Sequence, residues 1–163
     1  MDDRKYFVID TNVFIAANDG AKHLSDRDVD KCKLFVSALF FGAVISLDLQ
    51  GEILSEYFKY MNLSGQPGLS DRFFKYLWDH HYNKAFCELV DVEKNEKGIY
   101  LHLSGRNDLL AFDPSELKFI AVYLGSKNPV RICNASDSDW NNCKEILQKN
   151  NIDVYEILAE TSP

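Results

Sequence analysis

Short apolar runs alternate along this chain with longer segments whose apolar residues recur at helical spacing. Four brief runs rich in β-forming residues are typical of buried strands: residues 6–9, 43–47, 130–133 and 154–157. Six segments have the pattern of helices: residues 13–17, 33–41, 49–61, 69–80, 117–124 and 139–149. Strands that alternate with helices predict an α/β fold, a three-layer α/β/α sandwich with a mostly parallel central sheet.

Two stretches depart from this alternation. Residues 19–30 are polar and glycine-containing, which predicts a loop. Two β-like runs at 88–92 and 99–103 flank the polar segment 93–98, and this pattern predicts a hairpin or local insertion within residues 86–110. No repeat or linker divides the chain, so residues 1–163 are predicted to form a single domain.

The composition is that of a soluble globular protein, with 46% hydrophobic and 26% charged residues. No signal-peptide pattern and no apolar run of about 20 residues is present, so we expect a cytoplasmic protein without membrane contact. The four cysteines are far apart and lack zinc-site spacing, which predicts reduced thiols.

The formal net charge of −7 argues against a protein that binds nucleic acid through a broad basic surface. It does not exclude an enzyme that acts on nucleic acid. Carboxylates gathered in one site would account for part of the excess, and bound divalent cations would reverse the local sign.

Four acidic residues follow predicted strands, at the edge where parallel sheets bind ligands. Asp10 ends the first strand, Asp137 follows the strand at 130–133, Glu116 opens a helix, and Glu56 lies on the helix after the second strand. Carboxylate oxygens suit Mg²⁺, and two such ions can stabilise both oxygens of a phosphoryl displacement. These residues therefore predict a divalent-metal site.

Helix capping is the competing interpretation of the same acids. Residues 113–116 form a good helix start, with Asp113 at the N-cap and Glu116 at the third helical position. Residues 136–139 could cap the next helix, and Thr11 or Asn12 the first. Capping is the favoured interpretation for each acid alone except Asp10, since its neighbours could cap in its place.

Four blocks of the chain resemble PIN-domain nucleases and occur in the family's order. They are a strand followed by Asp-Thr-Asn, a strand and helix with the second acid, a helix with the third acid, and a fourth acidic motif: residues 8–14 (VIDTNVF), 45–61 (ISLDLQGEILSEYFKYM), 113–123 (DPSELKFIAVY) and 134–140 (NASDSDW). The third acid is more often Asp than Glu in that family.

The resemblance implies a PIN-like domain that hydrolyses phosphodiester bonds with Mg²⁺ or Mn²⁺. RNA is the implied substrate, and small members include ribonuclease toxins with an antitoxin partner and proteins that form homodimers. By position, the catalytic acids are Asp10, Glu56, Glu116 and Asp137, with Asp139 as a further metal ligand. Two choices stay open: Glu52 against Glu56, and Asp113 against Glu116.

Other polar residues near the four acids are candidates for supporting roles. Thr11, Asn12 and Asn134 could hold carboxylates or a phosphate. Arg106 and Lys118 are the main candidates for substrate binding, ahead of three further cations, Lys22, Arg72 and Lys75. Three aromatic residues could stack on bases, although their spacing favours burial: Tyr57, Trp78 and Trp140.

Two other functions fit parts of the pattern. A PIN-like module without catalysis, which binds nucleic acid or protein, is favoured by Glu at position 116 and by the acidic net charge. A doubly wound phosphatase would use Asp10 as its nucleophile, but it needs a second Asp where this chain has Asn12.

Overall fold

A computed structural model describes residues 5–159 of the chain. Five strands are present: β1 (Lys5–Ile9), β2 (Ala43–Asp48), β3 (Cys87–Val90), β4 (Val130–Asn134) and β5 (Val154–Glu156). Seven α-helices accompany them: α1 (Thr11–Ala17), α2 (Asp26–Leu39), α3 (Glu52–Tyr60), α4 (Leu69–His80), α5 (Leu117–Gly125), α6 (Ser138–Asn142) and α7 (Lys144–Lys149). Two 3₁₀ turns, Leu101–Leu103 and Asn107–Ala111, precede α5.

The five strands form one fully parallel sheet in the order β3-β2-β1-β4-β5. Phe7 of β1 pairs with Ile45 of β2, and Ile9 pairs with Cys133 of β4. All six residues of β2 are buried, as expected for a parallel strand covered on both faces. The predicted three-layer α/β/α sandwich is confirmed.

The helices reach the sheet through their apolar faces. Helices α1, α2 and α4 pack against one another, whereas α5 lies across β1, β2 and β4. Helix α5 is apolar along most of its length, and residues 118–122 are all buried, which suits a helix enclosed between the sheet and the 3₁₀ turns.

The path of the chain brings two strand ends together at the centre of the sheet. From β1 the chain runs outward through β2 to β3, and then crosses to β4 and β5 on the other side of β1. The switch point therefore lies between β1 and β4, where such folds bind ligands. The backbone N–H of Asp10 donates to the carbonyl of Cys133 at 3.0 Å, so the two strand ends are joined there.

The predicted hairpin within residues 86–110 is wrong. Residues 87–90 pair in parallel with β2 as an edge strand, and residues 101–103 form a 3₁₀ turn. The antiparallel element in this region is an isolated bridge between Lys94 and Tyr100. Pairing with β2 buries Cys87 and Val90, which a hairpin projecting from the domain would leave in water.

Two other element boundaries differ from those predicted. Helix α2 begins at Asp26, inside the predicted loop 19–30, because the Ser25 hydroxyl accepts a hydrogen bond from the N–H of Asp28 and caps it. The predicted helix at 139–149 is divided into α6 and α7 at Cys143. None of the described helices is long and apolar enough to cross a membrane, and the four cysteines are free thiols.

Candidate metal centre

Three carboxylates from separate parts of the chain meet at the switch point. Asp10 follows β1, Asp137 follows β4, and Glu116 directly precedes α5. One carboxylate oxygen from each lies within 4.8 Å of the other two. Asp10 and Glu116 are buried and Asp137 is half-buried, so the group opens toward solvent on the Asp137 side. The sequence-based grouping of these three acids matches their positions.

Asp10 is fixed by hydrogen bonds to both of its oxygens. Oδ1 accepts from the N–H of Asn12 at 2.9 Å, and Oδ2 accepts from the indole N–H of Trp140 at 2.6 Å. Asp10 is thus the N-cap of α1, which corrects the assignment of that cap to Thr11 or Asn12. Burial raises the pKa of Asp10 and the Asp137 carboxylate adds to the rise, whereas the two hydrogen bonds oppose it.

Glu116 is the least satisfied of the three acids. Its side chain is 8% exposed, and its Oε2 atom is buried without a hydrogen-bond partner among the described residues. Burial, followed by the charge of Asp10, raises the pKa of Glu116 to about 9. A buried carboxylate oxygen without a donor is costly unless a proton or a cation accompanies it.

Glu116 precedes the helix instead of lying within its first turn. Helix α5 begins at Leu117, and Asp113 accepts hydrogen bonds from the N–H and hydroxyl of Ser115. The helix predicted at 117–124 therefore matches α5, whereas the capping interpretation, with Asp113 at the N-cap and Glu116 at the third helical position, is wrong. Asp113 has the local capping role, and the tight turn it stabilises directs Glu116 inward.

The loop that carries Asp137 is held by two asparagines. Asn12 Nδ2 donates to Asn134 Oδ1 at 2.9 Å, while Asn12 Oδ1 accepts from the N–H groups of Ala135 and Ser136. Asn134 accepts from the N–H of Asp137 and donates to its carbonyl. These bonds fix the Asp137 backbone relative to β1. They join the two asparagine side chains to backbone groups and to each other, so the role predicted for them, holding the carboxylates of the site or a phosphate, stays a prediction.

A half-buried ion pair borders the three carboxylates. Lys118 is 7% exposed and contacts Glu56 Oε2, and the hydroxyl of Thr11 donates to Glu56 Oε1. Thr11 is adjacent to Asp10, and Lys118 lies two residues after Glu116, so the pair lies next to the group without belonging to it. Between the two open choices at α3, Glu56 is the acid that lies beside the site.

Four predicted site residues lie elsewhere. Glu52 accepts from Tyr100 at 2.7 Å and pairs with Lys94, and Asp113 contacts Ser115. Asp139 is exposed in the first turn of α6, and its carboxylate is not part of the group of three. Arg106 donates to Asn150 Oδ1 at 3.1 Å, on the side of α7.

The structure adds two residues that the sequence interpretation missed. Trp140 was assigned to stacking or to the core, and it is buried with its indole N–H bound to Asp10. Glu156 ends β5 and accepts from Asn134 Nδ2 at 2.8 Å. Burial raises the pKa of Glu156, and Asp10 and Asp137 add to the rise. The position of Glu156 at a parallel strand end was the signal that could have identified it.

Trp78 differs from the other two aromatic candidates. Tyr57 is buried and its hydroxyl donates to the carbonyl of Ile9, so it fixes the backbone just before Asp10. Trp140 is buried as well. Trp78 is 41% exposed, which makes the predicted burial wrong for this residue.

The donor set suits a hard divalent cation. All three converging groups are carboxylates, and Mg²⁺ and Mn²⁺ prefer oxygen ligands of this kind. The unpartnered Oε2 of Glu116 is an open ligand position. Burial is the main cause of the raised pKa values of Asp10 and Glu116, and a bound cation would compensate the charged forms that burial penalises.

Comparison of the chain with protein-family models, with curated proteins and with solved structures returns no match. The parallel sheet, its central switch point and the three converging carboxylates are therefore the basis on which a function is inferred.

Proposed function

We propose that this protein is a PIN-like nuclease that hydrolyses phosphodiester bonds with Mg²⁺ or Mn²⁺. One observation carries the proposal: Asp10, Glu116 and Asp137 converge at the switch point of a parallel sheet, and Glu116 has a buried oxygen that lacks a donor. A structural role for this group is a poor alternative, because burial raises the pKa values of Asp10 and Glu116 and so penalises their charged forms when no cation is bound.

Asp10, Glu116 and Asp137 would hold the cation. When bound, a divalent cation supplies a Lewis acid that polarises a phosphate and activates a water molecule for attack. Trp140 and the N–H of Asn12 fix the orientation of Asp10, and the Asn12–Asn134 contact fixes the loop of Asp137. Such supporting bonds keep ligands in place without a reorganisation cost when substrate binds.

We assign Glu56 and Lys118 to the substrate side of the site. Lys118 is a cation beside three acids, so it would attract a phosphate that approaches the group. Glu56 accepts from Thr11 and can also orient a water molecule at the phosphate. The ion pair keeps both charged groups compensated while no substrate is bound.

The resemblance to PIN-domain nucleases supports RNA as the substrate to test first. It also makes an antitoxin, another protein partner or a second copy of the chain reasonable binding partners. These parts of the proposal concern specificity and assembly, and the carboxylate group supports the chemistry independently of them.

The direct test is cleavage of labelled single-stranded RNA and DNA by purified protein. We expect cleavage with Mn²⁺ or Mg²⁺, none with a chelator, and loss of cleavage in Asp10→Asn. Asp139→Asn is the matched control, since Asp139 is an exposed acid on the same side of β4 but outside the group of three.

The alternative is a PIN-like module that has lost catalysis and binds nucleic acid or protein. Its support is the pairing of Glu56 with Lys118, which neutralises the fourth acid. Absence of cleavage in every metal, with folded wild type and retained binding of RNA, would favour this module over the nuclease.

A further inference from the structure

An exposed aromatic surface lies beside the candidate metal centre. Residues 49–61 were predicted to form one helix, but α3 begins at Glu52, and Leu49 and Phe58 are 56% and 55% exposed. Phe58 neighbours Trp78 of α4, with ring centroids 6.5 Å apart, and Tyr82 lies beyond it at 80% exposure. Contiguous exposed apolar side chains of this kind mark binding surfaces, because single-chain proteins rarely leave such patches in water.

The aromatic residues line a cavity of about 400 Å³ between α3, α4 and the carboxyl end of β2. We call it the aromatic groove and define it by Leu49, Phe58, Trp78, His81 and Tyr82. The ring centroids of His81 and Tyr82 are 4.0 Å apart. Trp78 on α4, together with His81 and Tyr82 just after it, therefore extends the aromatic surface beyond Phe58.

The aromatic groove continues into the edge of the candidate metal centre. A second cavity of about 310 Å³ is lined by Glu56, Lys59 and Lys118, and it shares Gln50 and Ser55 with the first. A chain bound along both cavities would run from the exposed rings past the two lysines. It would reach Glu56, whose Oε1 contacts Thr11 beside Asp10.

One cation along this path is left without an acidic partner in the described part of the chain. Glu52 pairs with Lys94, and Glu56 pairs with Lys118. Lys59 is exposed and has no acidic partner among the described residues, so it is a cation free to bind a phosphate. Rings that can stack next to cations that can bind phosphates are the two components of a single-stranded nucleic-acid site.

We infer that the aromatic groove binds unpaired bases of a nucleic-acid strand, with Lys59 on its backbone, and leads the strand to the carboxylates. This inference rests on the proposed function for its substrate class. Phe58 and Trp78 are the stacking residues, and the groove selects single strands because the bases of a duplex are already stacked on each other.

The first experiment measures binding without cleavage. Fluorescence anisotropy of labelled oligouridylate is recorded in Ca²⁺ for wild type, Phe58→Ala and Trp78→Ala. Loss of one stacked base weakens binding by about tenfold or more. Phe41→Ala is the matched control, because Phe41 is 85% exposed at the amino end of β2, away from the groove, and its loss leaves affinity unchanged. Trp78→Phe retains a ring and restores most of the affinity.

The two tryptophans provide a second readout. Trp140 is buried and Trp78 is exposed, so quenching of emission by oligouridylate reports on Trp78, and it disappears in Trp78→Phe. Lys59→Gln lowers the slope of log affinity against log salt by about one, whereas Lys127→Gln, an exposed lysine before β4, leaves the slope unchanged.

Three results would overturn the inference. They are equal affinity of the groove variants and wild type, equal affinity for oligouridylate and its duplex, and a wild-type dimer that becomes monomeric in Phe58→Ala by light scattering. The last would make the surface a contact between copies of the chain. If binding depends on the groove residues but no cleavage occurs, the groove inference stands and the nuclease proposal fails. If cleavage occurs and the groove variants do not change it, the nuclease proposal stands and the groove inference fails.

Discussion

Two buried aspartates, Asp10 and Asp48, lie at the carboxyl ends of neighbouring parallel strands. The groups that contact their carboxylates differ. Asp48 ends β2, and its carboxylate accepts from the N–H groups of Glu52 and Ile53 at 2.6 and 2.8 Å. Asp10 follows β1 and also accepts from a helix N–H and from the indole of Trp140, but it lies against the carboxylates of Glu116 and Asp137. Asp48 stabilises the start of α3, whereas Asp10 faces two other acids. The position of an acid at a strand end therefore identifies a functional site only when the side chains around it are known as well.

The largest expected difference between the two aspartates is in cleavage. Asp10→Asn removes a carboxylate from the group of three, and we expect activity to fall by at least about 100-fold, as for loss of a metal-site residue. Asp48→Asn keeps one of the two oxygens that accept from α3 and leaves the group of three acids intact, so we expect cleavage within about twofold of wild type. Single-turnover rates with labelled RNA and Mn²⁺ measure both. An equal loss of cleavage rate in the two variants would contradict a catalytic role that Asp10 has and Asp48 lacks.

The second expected difference is in stability. Asp48→Ala leaves the N–H groups of Glu52 and Ile53 without their acceptor, so the free energy of unfolding should fall by about 1–3 kcal/mol. Urea denaturation measures this change, with Asp30→Ala as the control, an exposed aspartate of α2 expected within about 0.5 kcal/mol of wild type. A neutral Asp48→Ala would mean that Asp48 does not stabilise α3.

The third expected difference concerns pH. Glu116 has an unfolded pKa near 4.5 and a folded pKa of about 9, so the folded state retains a proton that the unfolded state loses. Without metal, stability should therefore fall as pH rises from about 4.5 toward about 9. Glu116→Gln removes this titrating group, so the variant should unfold at a temperature a few degrees higher than wild type near pH 8. The unfolding temperature of a domain of this size shifts by about 2–4 °C for each kcal/mol of unfolding free energy.

Thermal unfolding in a chelator across this pH range measures the effect of Glu116. The gap between wild type and Glu116→Gln should widen with pH. Parallel curves for the two proteins would contradict the assignment of a protonated Glu116 to the metal-free fold.

The smallest expected effect belongs to Asp139. This residue was predicted as a metal ligand, but its side chain is exposed and lies outside the group of three. Asp139→Asn should retain cleavage within about twofold and unfold within about 0.5 kcal/mol of wild type. A loss comparable to that of Asp10→Asn would extend the site to four acids and require α6 to move.

The sequence predicted the parts of the fold that local patterns determine. The apolar runs located β1, β2 and β4, and helix α4 was predicted at its observed bounds, Leu69–His80. The hairpin predicted within residues 86–110 is wrong because β3 forms as a parallel edge strand by pairing with β2, about 40 residues earlier in the chain. Local β-propensity cannot distinguish such an edge strand from one arm of a hairpin.

The candidate site was predictable where topology alone determines position. Strand ends of a parallel sheet meet at one edge, which grouped Asp10 with Asp137. The role of Trp140 was not predictable, because its hydrogen bond to Asp10 depends on how α6 packs, 130 residues along the chain. Asp48 was missed for a similar reason. It can accept from the N–H groups of α3 only because the chain turns back at Gly51, where φ is 80°.

We propose that Asp10, Glu116 and Asp137 together form one divalent-cation site. Calorimetric titration of wild type, Asp10→Asn and Asp48→Asn with Mn²⁺ tests it without any assumption about substrate. We expect binding to wild type and Asp48→Asn, and at least about 100-fold weaker binding to Asp10→Asn. Equal Mn²⁺ binding by Asp10→Asn and wild type, or binding by neither, would contradict it.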